Sequence, residues 1–209
     1  MTTSSWLNLE LQADRLENLC PILLMKFLDL PRPLSRFPRG PARRALLLSL
    51  RNRGLMPPLN APIPANRAWL VTSCTHLRHL ALAVSAYVAA PVLRCCIDAQ
   101  VLGPWYRLLG SSLYKQAVSQ KDWMQINSNE TPSLTTHNEN SADTLTRWGA
   151  GYLLALVPAD RQDLLARLNL RLPVPAQEPV PALSMAQTQA LEAWVEEQSQ
   201  CAAQTRWAP

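Results

Sequence analysis

The stretch Leu80-Ala-Leu-Ala-Val-Ser-Ala-Tyr-Val-Ala-Ala-Pro-Val-Leu93 is the most apolar run in the 209-residue chain. Leucine and alanine are strong helix formers, and Leu77, Leu80, Val84 and Val88 recur three and four residues apart, the period of one helix face. Crossing a bilayer takes about 20 apolar residues. This run has 14 and includes Ser85, Tyr87 and Pro91, so it reads as a buried core helix rather than a membrane span.

Working outward, Asn66 is placed to cap this helix, which the pattern carries to Ala90 with Trp69 and Leu70 also facing inward. Pro91 is expected to interrupt it, with a second helix from Val92 to about Leu102. Gly103 and Pro104 then precede a helix over Trp105 to Met124, striped by Trp105, Leu108, Leu109, Leu113, Ala117 and Val118. Residues Ile126 to Asp143 are rich in Asn, Ser and Thr and read as a polar loop. Helical periodicity returns over Thr144 to Val157 and Pro158 to Leu170, Pro158 suiting a first helical turn. Leu172 to Pro181 is a proline-rich strap. Ser184 with Gln187 then resembles a capping box opening a last amphipathic helix, with Gln187, Ala190, Leu191, Trp194 and Val195 inward.

On the N-terminal side, Leu7 to about Leu30 reads as two short helices around Pro21. Pro31, Pro33, Pro38, Gly40 and Pro41 break regular structure before a basic, leucine-rich helix, Ala42 to Arg53, that Gly54 ends. Pro57, Pro58, Pro62 and Pro64 make the following segment an extended connection. The chain has 18 prolines, 6 glycines and far more Leu and Ala than Val and Ile, which favours short, punctuated helices over sheet. One domain can accommodate this length. The expectation is an all-α fold: a single globular multi-helix domain over residues 1–209, with proline-rich connections and a polar loop near 126–143.

The charge is uneven. No acidic residue occurs between Asp29 and Asp98, whereas ten arginines do: Arg32, Arg36, Arg39, Arg43, Arg44, Arg51, Arg53, Arg67, Arg78 and Arg94. No lysine accompanies them, and the planar guanidinium fork suits carboxylate or phosphate contacts at lower hydration cost. Such asymmetry concerns partners rather than fold. Arg32, Arg36, Arg39, Arg43, Arg44, Arg51 and Arg53 are therefore the candidate docking residues. Most of the seven tryptophans fall on apolar stripes and read as core. Trp207, near the C-terminal end of the sequence, is the best candidate for an exposed anchor.

Catalytic and metal chemistry find little support. Cys74, His76 and His79 place two imidazoles at i and i+3, but a zinc site needs a fourth well-spaced ligand or an open cleft position. The five cysteines contain no CxxC pair, which argues against a disulfide framework and fits a reducing compartment. Neither a phosphate-binding glycine loop nor a GxSxG elbow is present. Asp160 with Asp163, and Glu192 with Glu196 and Glu197, read as solvated helix faces. The first residues contain Glu10, Asp14 and Glu17 and lack the pattern of a secretory signal. No catalytic residue, metal or cofactor is expected.

Several segments together resemble the YscK/SctK family, the cytosolic adaptors of the type III secretion sorting platform. They are Leu19-Cys20-Pro21 with the leucine-rich turn after it, Val92-Leu93-Arg94-Cys95-Cys96-Ile97 running into Leu102 to Val118, Gly149 to Pro158, and Leu168-Asn169-Leu170-Arg171-Leu172-Pro173. Their order and the chain length are also similar to the family's. The resemblance implies a non-enzymatic, cytoplasmic adaptor peripheral to the inner membrane. It would link the cytosolic domain of an SctD-like ring protein to an SctQ-like pod, and through it to SctL and the ATPase. Two other readings of the same residues are a nucleic-acid-binding regulator using the arginines of 32–53, marked by steep salt dependence, and a secretion chaperone. The basic helix Ala42 to Arg53 also suits contact with anionic lipid as an electrostatic patch.

Overall fold

The computed structural model describes residues 19–21, 24, 25, 28, 39–120, 141–172 and 181–205. Among these the fold is all-α, with no strand. The α-helices are α1 (Gly40–Asn52), α2 (Cys74–Cys95), α3 (Ala99–Ser119), α4 (Ser141–Ala155), α5 (Gln162–Asn169) and α6 (Met185–Thr205), with a 3-10 segment over Ala65–Val71. The chain divides into two compact units. Unit 1 comprises Met1–Leu77 and Val157–Pro173, and unit 2 comprises Arg78–Leu156 and Val174–Pro209.

In unit 1, Pro41 lies in the first turn of α1, where its missing N–H costs nothing. Gly54 ends the helix as its sequence indicates. With φ at 69° it turns the chain left-handed, so that Gly54 N–H donates to the Arg51 carbonyl at 2.9 Å and Leu55 N–H to the Leu50 carbonyl at 3.0 Å. These two bonds form a Schellman motif, and Leu55 packs with Leu50 as that motif favours. Leu50 belongs to a buried cluster with Leu19, Leu24, Met56 and Leu170, flanked by Leu28, Leu46 and Leu47. Cys20 N–H donates to the Leu170 carbonyl at 3.0 Å, tying the N-terminal segment to the end of α5.

The helix expected from Asn66 starts later. Residues 65–71 form the 3-10 segment, with Trp69, Leu70 and Val71 buried. Thr72 is extended, and Ser73 caps α2 by accepting the His76 N–H on its hydroxyl at 3.2 Å. A serine hydroxyl satisfies an orphan N–H of the first turn, so the local cap decides the start. Pro158 also lies outside a helix, since α5 begins only at Gln162.

Unit 2 is built around α2 from Arg78 onward. Pro91 does not break this helix, which continues to Cys95. Losing one backbone bond to proline costs about 3 kcal/mol, and the packing of Tyr87, Ala90 and Leu93, all buried, offsets it. At 22 residues α2 has the length and composition of a membrane span, yet 67% of its most apolar window is buried inside the protein.

Its neighbours explain that burial. From α4, Gly149 approaches so closely that an added Cβ would meet the Ala81 carbonyl oxygen and the Ser85 hydroxyl. Ser85 in turn donates to the Leu145 carbonyl at 2.6 Å. From α6, Trp194 stacks on Tyr87 with ring centroids 5.2 Å apart and donates its indole N–H to the Ala83 carbonyl at 3.0 Å.

Asp98 caps α3 through the Gln100 N–H at 2.8 Å, so Gly103 and Pro104 sit inside the helix rather than before it. The break falls instead at Gly110, where φ is 73° and ψ is 163°. Trp105 from α3 meets Trp148 from α4 edge to face at 6.5 Å. The capping box of α6 is present in both directions. Ser184 N–H donates to Gln187 Oε1 at 2.9 Å, and Gln187 N–H to Ser184 Oγ at 3.3 Å. The polar segment expected over 126–143 lies mostly outside the described residues, and its last three belong to α4.

Candidate functional site

Helix α1 sorts the arginines by angle. Leu46, Leu47 and Leu50 turn toward the unit 1 cluster. Successive residues advance by 100°, which places Arg44, Leu48 and Arg51 within about 60° of arc on a face beside the inward one. All three are exposed, Leu48 to 57%. Neighbours three and four apart on a helix have Cβ atoms about 5–6 Å from one another. The result is a short stripe with a leucine between two guanidinium groups, and α1 contains no carboxylate.

The other candidates are dispersed. Arg39 is exposed in extended backbone just before α1, Arg43 is half-buried on the inward side, and Arg53 is exposed at the C-cap. Arg32, Arg36 and Trp207 lie outside the described residues. Of the remaining arginines in the acid-free run, Arg67 and Arg78 are half-buried. Arg94 has a structural role: its guanidinium donates to the Val118 and Gln120 carbonyls at the end of α3. A cation there also complements the helix dipole.

A second arginine group, around α5, did not stand out in the sequence. Arg161 grips Asp163 with two parallel bonds, Nε to Oδ1 at 3.0 Å and Nη2 to Oδ2 at 2.9 Å, and Asp163 also accepts the Asn60 N–H at 3.0 Å. Arg161 reaches the Ala61 and Pro62 carbonyls as well. Arg167 donates to the Pro57 carbonyl and Arg171 to the Leu70 carbonyl, both side chains buried. The proline-rich segment 57–64 has few N–H groups for regular pairing, so arginines about a hundred residues away hold its carbonyls. Burial pushes the Asp163 carboxyl up, but the bonds from Arg161 and Asn60 and the charge of Arg161 outweigh it, and the group titrates below the usual carboxylate range. Through the same hydrogen bond Arg161 is held more firmly protonated. Asp163 is 1% exposed and saturated by these partners, a structural ion pair rather than the solvated face expected from its sequence.

At the start of α2, Cys74 and His76 are half-buried and His79 is exposed. Among the described residues no group of three or more His, Cys, Asp or Glu side chains is arranged to hold a metal ion. Unit 2 has a different kind of exposed feature. Ile97 is 98% exposed and Val101 41%, and a shallow apolar depression is lined by Pro91, Val92, Cys95 and Cys96. The tryptophans follow expectation where described: Trp69, Trp105 and Trp194 are buried and Trp148 is half-buried.

Compared with known proteins, the chain matches no family model, no curated protein and no solved structure. What the geometry defines is an all-α protein with an arginine and leucine stripe on unit 1 and an apolar corner on unit 2.

Proposed function

We propose that this chain is a non-enzymatic adaptor on the cytoplasmic face of a type III secretion apparatus. It would join the cytosolic domain of an SctD-like inner-membrane ring protein to an SctQ-like pod, and through the pod to SctL and the ATPase. The observation carrying this reading is the ordered resemblance of four segments to the YscK/SctK family. Three of them coincide with packing elements: the α2–α3 joint, the α4 face bearing Gly149, and the end of α5 with buried Arg171. Each unit also carries an exposed patch of its own, which suits a protein that holds two others.

The test is co-purification of the full chain with the ring-protein cytosolic domain and with the pod protein, followed by size-exclusion chromatography of the three together. A ternary complex is expected. Failure to retain either partner at low salt would remove the adaptor reading.

A further inference from the structure

We infer that the consecutive thiols of Cys95 and Cys96, at the end of α2, form a two-point binding site for trivalent arsenicals. The inference stands apart from the adaptor reading and uses unit 2 alone. Both cysteines are free, Cys95 exposed and Cys96 half-buried. Together with Pro91 and Val92 they line one shallow apolar depression, so two sulfur groups open onto a single surface. Of the other cysteines described, Cys20 is buried and Cys74 lies at the far end of α2.

The surroundings of the pair decide what it can hold. Among the described residues no third His, Cys, Asp or Glu joins it, whereas structural zinc takes four ligands. Copper(I) accepts two soft thiolates, but the complex is then an anion. An anion is poorly placed here, because the depression is apolar, the end of α2 is the negative end of the helix dipole, and Asp98 stands exposed two residues on. The adjoining cation, Arg94, donates to the Val118 and Gln120 carbonyls. A neutral product is favoured. The pair's own disulfide is neutral, but consecutive Cα atoms lie about 3.8 Å apart, short of the roughly 4.4 Å that a disulfide ordinarily spans. Cys96 N–H is also held in the helix by the Val92 carbonyl at 3.0 Å. One arsenic atom between the sulfurs lengthens the bridge and keeps the product neutral.

With phenylarsine oxide, two As–S bonds form as the As–O bonds break, and both thiol protons leave with the oxygen as water. Arsenic stays trivalent, so no oxidant or reductant is needed. The experiment measures binding of phenylarsine oxide to the reduced full chain by native mass spectrometry, followed by peptide mapping. One arsenical per chain is expected at the pair, with the tryptic peptide from Cys95 to Arg107 protected from iodoacetamide. Cys95→Ser and Cys96→Ser are each expected to weaken binding at least about a hundredfold, since closing the second bond is intramolecular. Cys201→Ser should leave it unchanged. Dimercaptopropanol should strip the arsenical and mercaptoethanol at the same thiol concentration should not. Circular dichroism accompanies each variant; if a serine variant unfolds, the peptide map of the unsubstituted chain decides by where the arsenic resides.

Full affinity in either serine variant would overturn the inference, as would equal removal by the monothiol, since each result means attachment through a single sulfur. So would arsenic on any other cysteine-containing peptide, protection of the pair by zinc or copper(I) at the arsenical's own concentration, or spontaneous closure of the pair to a disulfide in aerated buffer. No secretion component enters this assay, so the dithiol site and the adaptor reading fail separately.

Discussion

Gly149 of α4 crosses α2 at Ala81, where a Cβ on residue 149 would stand 1.9 Å from the Ala81 carbonyl oxygen and 2.5 Å from Ser85 Oγ. Backbone cannot yield that distance without moving a helix. Gly149→Ala is therefore expected to destabilise the protein by at least about 2 kcal/mol. Two residues on, Gly151 has only ordinary contact, 3.5 Å from Pro181 Cδ. Gly151→Ala should be neutral or stabilising by up to about 1 kcal/mol through helix propensity. Urea denaturation of the two variants side by side checks both signs.

Trp194 joins α6 to α2 by stacking and by a hydrogen bond, and its two contributions separate by substitution. Trp194→Phe keeps a ring against Tyr87 but loses the donor to the Ala83 carbonyl, an expected cost of about 1–2 kcal/mol. Trp194→Ala loses the packing as well, about 3–5 kcal/mol. Chemical denaturation followed by far-ultraviolet circular dichroism distinguishes them without relying on the removed fluorophore.

The Arg161–Asp163 pair makes stability depend on acidity. Asp163 titrates lower in the folded chain than its unfolded value, which is near 4. Its ionised form thus stabilises the fold fully above that value, and this contribution is lost as pH falls through the folded titration. Asp163→Asn is expected to cost about 2–3 kcal/mol at neutral pH. The gap between wild type and variant should be constant from pH 7 to about 5 and narrow below about 4. Denaturation midpoints across that range provide the measurement.

Helix ends should respond weakly and locally. Gly54→Ala forces a side chain into left-handed backbone, at about 1 kcal/mol. Ser184→Ala removes one arm of the α6 capping box, also about 1 kcal/mol. Amide hydrogen exchange should show faster opening of the last turn of α1 in the first variant and of the first turn of α6 in the second.

The same division between local and distant interactions governs how much could be read in advance. The all-α character, the end of α1 at Gly54, the capping box Ser184–Gln187 and the inward face of α6 were legible, because each signal and its target lie within one or two turns. The start of α2 and the survival of the helix through Pro91 were not. In one case residues 65–71 form a 3-10 segment and Ser73 provides the cap, and in the other buried packing outweighed a local penalty. For the candidate site, the arginine-rich run was visible as composition, but composition has no direction. Only the packing of Leu46, Leu47 and Leu50 turned Arg44 and Arg51 outward with Leu48, and only the fold of unit 2 placed Arg94 on the end of α3.

By itself, then, the sequence determined the helical character, the end of α1 at Gly54, the capping box of α6 and the sign of the charge in its N-terminal half. Tertiary structure alone decided which arginines are surface and which are structural. Arg171 finds the Leu70 carbonyl across 101 residues and Arg167 that of Pro57 across 110. A guanidinium is identical in sequence whether it faces water or a proline carbonyl. The difference lies in burial, which the chain acquires only when its separated segments pack together.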